Sequence, residues 1–521
     1  MTTDRHTPLR RVSLAFALAT SASALAHGQA SPPNTPPSVQ QPIAPPARPT
    51  AVTPPTLRLE RFTLENGLEV ILNEDHRAPT VTVNLWYHVG GKDEPLGRNG
   101  FAHLFEHLMF QGSRHVAEDT YFLELERIGA TGINGTTGDD RTNYFQTVPS
   151  ARLATALWLE SDRMGFLLDH VDQRTLDSQR DVVLNEYRQN YENAPNGAVW
   201  QFLHRTVFPQ THPYHRIPIG TPEDLANATL EDVRRFFRLF YVPNNATLVL
   251  SGDITPRDAR RLVQQYFGPI PRGGDVPRRP LPAPVTLSSD VRVEVEAGVQ
   301  APHVYLAWPT PKYFAPGDAE LDLVGNILAH GASSRLYRRL VREQQVASNV
   351  SAFQGSMELA SMFVVVVTGR PGQAPEALLR ATDAELDALR TAAPSAEEFE
   401  RARIDLTTSL LFSMESTGAR ADRLNLYRQY VDDPNYLSND IARYNNATPA
   451  MIPTTMQTHL PRDRRVSLFV FPTPGAPVSG RLRRAPNARS TRVVHFDDDV
   501  IQGQTPRPGA VAGHPQAGGA R

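Results

Sequence analysis

Proline is concentrated in two stretches of this chain, and since neither stretch can form a regular helix or a sheet ladder, the fold has to be built from what lies between and after them. Residues 27–56 are crowded with Pro and Ala and read as an extended tether. From Pro269 to Pro284 there are six prolines together with Gly273-Gly274, which reads as an interdomain linker. Two segments remain, 57–270 and 285–472, each about 200 residues long and able to bury a core of its own. The tail, 473–521, is rich in Arg, Ala, Pro and Gly and is expected to be disordered.

Within the first segment strand and helix signals alternate. Leu68–Leu72, Thr80–Tyr87 and Ala246–Ser251 are β-branched and aromatic runs that predict strands, with Asn66-Gly67 as a turn before the first. Helical periodicity covers residues around 100–111, 118–129, 150–169 and 173–192. The second segment passes again through strand, helix and strand, so the class is α+β. A shift of 219 residues places Gly331 opposite Gly112 and sets Asp322, Gly325 and Asn326 against His103, Glu106 and His107. A weak internal repeat is therefore expected, with metal chemistry in the first copy alone.

The N-terminus carries Arg5, Arg10 and Arg11 before an apolar or small-residue run from Val12 to Ala26 that ends in Ala24-Leu25-Ala26. This pattern predicts a secretory signal peptide over residues 1–26 and a periplasmic or secreted protein. The run is too short for the ~20 apolar residues that span hydrocarbon, and no later stretch could do so, which excludes membrane insertion of the mature chain. A net charge of -2 gives no reason to expect nucleic acid. With no cysteine present, any metal site must use His and carboxylates.

The chemistry is concentrated in F-A-H-L-F-E-H-L-M-F, Phe101 to Phe110. On a helix His103 and His107 stand one turn apart on one face, the spacing for two ligands of a single tetrahedral zinc ion. Glu106 borders that face and can take a proton from water and later deliver it to a leaving amine. Leu104, Phe105, Leu108, Met109 and Phe110 would bury this helix, and burying two histidines and a glutamate is costly without compensating partners. A third ligand should be a carboxylate from another element. Glu186 in Q-R-D-V-V-L-N-E-Y is the choice, because Val182 and Val183 fit the buried side of a helix from which it can emerge. Glu160, Asp181 and Glu192 compete, each read as an exposed helix charge.

Taken with L-E-N-G-L-E-V near Asn66, G-G-K-D-E-P at Gly90, I-N-G-T-T at Ile133, D-R-T-N-Y-F at Asp140, V-V-L-N-E at Val182 and V-P-N-N-A-T-L-V-L-S-G-D at Val242, the sequence resembles the insulinase or pitrilysin (M16) family of zinc metallopeptidases. The shorter bacterial members related to mitochondrial processing peptidase are the nearest in kind. The resemblance implies two similar α+β domains with antiparallel-rich sheets packed with helices, one half of a clamshell chamber, and one Zn2+ per chain. It implies His103, His107 and Glu186 as metal ligands, Glu106 as general base, and Asn134 with Gly135 on an edge strand where extended peptides pair. Gln179 stands where many members carry a second glutamate and could only orient groups by hydrogen bonds.

At positions where active members often carry a substrate-contacting Arg and Tyr, this chain has Val341 and Ser348, with Arg342 out of register. The expected function is an exported zinc endopeptidase for oligopeptides or unfolded segments, partnered by a second M16-type subunit or a second copy of itself. The alternatives are a non-catalytic structural subunit and a peptide-binding module. His212 and His215, in a Pro-rich loop, and the basic run Arg335, Arg338, Arg339 and Arg342 read as loop hydrogen bonding and a solvated helix face.

Overall fold

In a computed structural model, residues 55–483 are described. The expected signal peptide, nearly all of the tether and the tail beyond residue 483 lie outside them. Among the described residues twelve strands form two six-stranded sheets. The first holds β1 (Leu59–Thr63), β2 (Glu69–Glu74), β3 (Thr80–Tyr87), β4 (Thr131–Thr137), β5 (Thr142–Pro149) and β6 (Ala246–Gly252) in the order β1-β2-β6-β3-β5-β4. The second holds β7 (Val291–Ala297), β8 (His303–Thr310), β9 (Ala347–Gly355), β10 (Ser361–Gly369), β11 (Val466–Pro472) and β12 (Arg481–Leu482) in the order β12-β7-β11-β8-β10-β9.

Five strands of each order correspond, β2-β6-β3-β5-β4 with β7-β11-β8-β10-β9, while the edge strand beside them comes first in the chain in one sheet and last in the other. In each sheet one pair is parallel, β2 with β6 and β7 with β11, and every other pair is antiparallel. The displacement of 219 residues seen in the sequence recurs here, since β5 opens at Thr142 and β10 at Ser361. Two M16-like α+β domains are thus repeats of one topology.

Each sheet is buried on both faces, which explains why its central strands read as apolar runs rather than as strict alternation. Along β3, Val81, Val83, Leu85 and Tyr87 enter the main core with the helix Phe101–Leu108. The opposite face of this first sheet is covered by a helix from the second half of the chain, Thr417–Val431. Its Ala421 and Leu424 pack on Ile71 and Val249, and its Asp422 accepts hydrogen bonds from Asn84 (3.4 Å), Trp86 (3.3 Å) and Asn143 (3.3 Å). Reciprocally, Phe202, Leu203 and Val207 of the helix Val199–Val207 join Val293, Val295, Tyr305 and Leu468 of the second sheet. Each half lends a helix to the other's sheet, so a cut between residues 270 and 285 divides the sequence but not the core.

The segment 269–284 runs without regular secondary structure, as its prolines require. Past Pro472 the chain departs from the expected disordered tail. Thr473 N–H donates to Ala297 O (2.9 Å), and β12 pairs with β7, so the second domain extends to Leu482. An edge of β7 left open by β11 supplies the reason.

At the tips of the equivalent hairpins β4–β5 and β9–β10 the two domains share buried polar groups. Asp140 accepts from Tyr430 Oη (2.9 Å), Tyr214 Oη and the backbone N–H of Glu358 (2.9 Å). Tyr214 Oη in turn accepts from Leu359 N–H (3.0 Å). Lys92, itself buried, lies 2.7 Å from Asp93 and 3.7 Å from Glu358. Removing the Asp140 carboxylate strands two hydroxyls and one backbone N–H. Asp140→Ala is therefore expected to lower unfolding stability by about 3 kcal/mol, read as a lower urea midpoint. A midpoint within error of the unsubstituted protein would show that this junction does not hold the halves together.

Candidate metal centre

The motif helix, Phe101–Leu108, begins at Gly100 with φ 94°, where a Cβ would lie 2.7 Å from Ile219 O. Only glycine fits that left-handed, crowded entry. Instead of a side-chain cap on Gly100, the buried Glu94 accepts from Gly100 N–H (2.9 Å) and Ala102 N–H (2.8 Å), placing a carboxyl at the positive helix end. Phe105 then stacks on Phe236 and Tyr241, with centroids 5.4 and 4.8 Å apart, which fixes the helix rotation. His103, Glu106 and His107 occupy the arc that remains.

A second helix, Gln173–Tyr187, is capped by Asp172, whose carboxylate accepts from Thr175 N–H (2.8 Å). Leu176 and Val183 are buried in the main core and turn Glu186 toward the motif helix. Glu186 Oε2 lies 3.7 Å from His103 Nε2 and 3.4 Å from His107 Nε2. The three ligand atoms all fall within 4.8 Å of one another, and this is the one group of three or more such residues among those described. A tetrahedral zinc ion ~2.1 Å from each ligand sets donor atoms ~3.4 Å apart, so the set fits zinc.

The electrostatics suit the same role. Burial, and then the neighbouring His107, push the His103 imidazole down to about 4, so it is neutral with a lone pair to offer. For Glu186 burial acts upward, but the His107 hydrogen bond and the two imidazoles beside it outweigh it and hold the carboxyl below its usual range. Burial raises the Glu106 carboxyl against the opposing effects of Thr137 and His107. The outer support is thin. His103 Nδ1 is buried without a hydrogen-bond partner, and Asn190 Nδ2 donates to Glu186 Oε1 at 3.4 Å.

Among the described residues strand β4 ends the first sheet and pairs only with β5, Asn134 opposite Phe145 and Gly135 opposite Tyr144. It passes directly over the base candidate. A Cβ on Gly135 would stand 3.0 Å from Glu106 Cγ and 3.1 Å from the Phe110 ring.

Residues 69–217 match the family described as Insulinase (Peptidase family M16), and residues 227–406 match the one described as Peptidase M16 inactive domain. The chain belongs to the M16 peptidase family. It is 27% identical over 375 residues to the zinc protease PqqE of Helicobacter pylori, covering 71% of this chain and 83% of that one. To the probable mitochondrial-processing peptidase subunit beta of Schizosaccharomyces pombe it is 27% identical over 377 residues, 70% of this chain and 80% of that one. The crystal structure of a protease from Helicobacter pylori superposes with a TM-score of 0.74 at 25% identity, covering 80% of this chain and all of that one.

In the second M16 domain the helix Asp318–Ala329 repeats the motif helix without its chemistry. Asp322 accepts from Tyr444 Oη (2.8 Å), and Asn326 Nδ2 donates to Asp405 (2.6 Å). Gly325 replaces Glu106, and a Cβ there would meet Ala352 O at 2.9 Å, so β9 lies on this helix where β4 leaves room for a carboxylate. Val341 packs against the second core, Ser348 donates to Thr368 O (3.3 Å), and Arg342 is exposed.

Several expectations need correction. Glu160 is no exposed charge but fully buried, paired with Arg163 and accepting from Tyr121 Oη (3.1 Å) and Gln146 (2.9 Å). Val182 is 43% exposed, and Val183 alone of that pair is buried. Gln179 is buried two turns before Glu186, but no hydrogen bond joins it to the three ligand candidates among the described residues. Asp181 and Glu192 are exposed as expected. His212 Nδ1 accepts from Tyr214 N–H (3.1 Å) and His215 Nδ1 bonds Phe208 O (2.8 Å), both loop hydrogen bonds. The support given by Glu94 and Gly100 was missed, although Glu94 lies in the G-G-K-D-E-P segment.

These positions set a contrast for zinc titration. Glu186→Gln is expected to weaken zinc binding at least tenfold and Glu192→Gln to leave it unchanged, while His103→Ala or His107→Ala removes the metal. Sensitivity at Glu192 rather than Glu186 would move the third ligand.

Proposed function

We propose that this M16 protein is an exported zinc endopeptidase that cleaves extended peptide segments. The observation that carries the reading is the convergence of His103, His107 and Glu186, with Glu106 beside them, beneath a free sheet edge. His103 and His107 would hold the ion through Nε2 and Glu186 through its carboxylate. Zinc, when bound, polarises the scissile carbonyl and lowers the pKa of water. Glu106, one residue before His107, takes the proton of the attacking water and returns it to the leaving nitrogen.

The edge of β4 offers unpaired backbone groups to a substrate that adds as a further strand, with Asn134 and Gly135 nearest the motif helix. Such recognition selects conformation more than sequence, which suits oligopeptides and unfolded segments. The relative named as a subunit supports assembly with a second M16-type chain, identical or different, that would close a clamshell chamber; a different chain would also supply the contacts missing at Val341 and Ser348. Export rests on the charge and apolar pattern of residues 1–26. No described helix is long and apolar enough to cross a membrane. A non-catalytic subunit is the alternative, favoured by the match of residues 227–406 to an inactive domain.

Glu106→Gln keeps the side-chain shape but cannot take a proton. It should retain full zinc while peptide hydrolysis falls by ~10² or more; near-normal turnover at full zinc would place the base elsewhere. The partner proposal predicts that the isolated chain binds zinc yet cleaves slowly, since donors aimed at the substrate carbonyl are typically worth ~3 kcal/mol in the transition state. Light scattering with peptide assays checks it, and a fully active monomer contradicts it.

A further inference from the structure

The ligand helix does not stop cleanly at Tyr187. It widens into a π-helical turn, Arg188–Glu192, an irregularity frequent at functional sites. Asn190 in that turn donates to Glu186, and the Tyr191 ring stacks on Tyr187 with centroids 5.4 Å apart. Asn193 N–H closes the turn on Arg188 O (2.7 Å). Gly197 then approaches so closely that a Cβ would lie 2.3 Å from Tyr191 O. Asn196, at φ 58°, sits in the left-handed region that a non-glycine residue occupies only when its surroundings impose it.

What imposes it comes from the far end of the chain. Asn196 N–H donates to Val478 O (3.0 Å) and Ala198 N–H to Ser479 O (3.1 Å). Both acceptors lie between β11 and β12, and the segment is itself held down on the second domain. Gly298 N–H donates to Pro477 O (2.9 Å), Arg481 pairs with Glu296 (2.6 Å), and Gly480, at φ 95°, lies where a Cβ would be 2.6 Å from Val295 Cγ1.

We propose that Val478 and Ser479 form a positioning strap for Glu186: two backbone carbonyls from the end of the second domain fix the turn that closes the ligand helix, and through it the direction of the third zinc ligand. The inference rests on the zinc reading of the site. Its consequence is that the first domain cannot complete its metal centre until the last described strand of the second has paired. A domain without metal chemistry thereby sets the metal affinity of its neighbour.

The test uses the full-length protein. Ala198 has φ -75°, which proline adopts, so Ala198→Pro removes one strap hydrogen bond without changing φ at its own position, though its ring enters the core there. Gly480→Ala forces a side chain onto Val295 at positive φ and unseats the strap far in sequence from the ligands. Loss of such outer support typically costs 10–100-fold in metal affinity. Each variant is expected to bind zinc about tenfold more weakly in competition with a chelator, and to shift the visible bands of the cobalt(II)-substituted protein, while still melting cooperatively. Unchanged zinc affinity and cobalt spectrum in both variants would overturn the strap. If Gly480→Ala does not fold, Ala198→Pro decides alone. An unsubstituted chain that binds no zinc overturns the metal reading and the strap together, an outcome distinct from variants that bind normally.

Discussion

The motif helix is enclosed on nearly all sides, and that enclosure decides what its polar residues can be. Phe101, Leu104, Phe105 and Leu108 are in the core, Phe105 stacks against two aromatic rings, and β4 crosses above. A helix gripped this way cannot rotate to give His103, Glu106 and His107 to solvent. Their polar atoms must find partners in place, and the partner that comes to meet them is Glu186 on the next helix. Buried His and Glu without a cation between them would be a standing cost. With a divalent ion the same burial strengthens each interaction, because little water is left to screen it.

That grip depends in turn on the exchange between halves. The first sheet can pack the motif helix on one face only because the helix Thr417–Val431 covers the other, and the turn after Glu186 leads directly into Val199–Val207, which packs on the second sheet. The helix that carries Glu186 stays in the first core as far as Tyr187, and the segment that follows it carries the chain onto the second sheet. Asp140 ties the hairpin tips together near the same junction, from the loop that follows β4. The β4 edge, the helix of Glu186 and the domain junction are mechanically one unit.

Much of this was legible in the sequence where the signal was local. The His–Glu spacing needs only helical periodicity to be read, and β3 was placed at both ends because its residues are almost all strand formers. The 219-residue repeat was visible as a weak alignment because topology constrains glycines and apolar positions more than chemistry. Contacts between distant segments were not legible. Glu160 looked like a surface charge because its partner Arg163, one helical turn on, is an ordinary solvated pairing by sequence, and its burial is decided by Tyr121 and Gln146. The stretch after Pro472 looked disordered because Pro, Gly and Ala are loop formers, and nothing local announces that β7 has an edge for β12 to cover.

The two domains show how one backbone design can hold or exclude a buried carboxylate beside a sheet edge. In both, a helix runs beneath the edge hairpin of a sheet, and the space between helix and strand admits one side chain. In the first domain the strand gives way: Gly135 contributes no side chain, and Glu106 fills the gap. In the second the helix gives way: Gly325 contributes none, and the β9 backbone descends to within contact of it. A glutamate at 325 would strike the β9 carbonyl, and a valine at 135 would strike Glu106. Moving the glycine from one partner to the other thus replaces a pocket by a packed interface while leaving sheet order and helix position unchanged. The second domain, without that carboxylate, still contributes to the first the helix Thr417–Val431 and the two carbonyls of Val478 and Ser479.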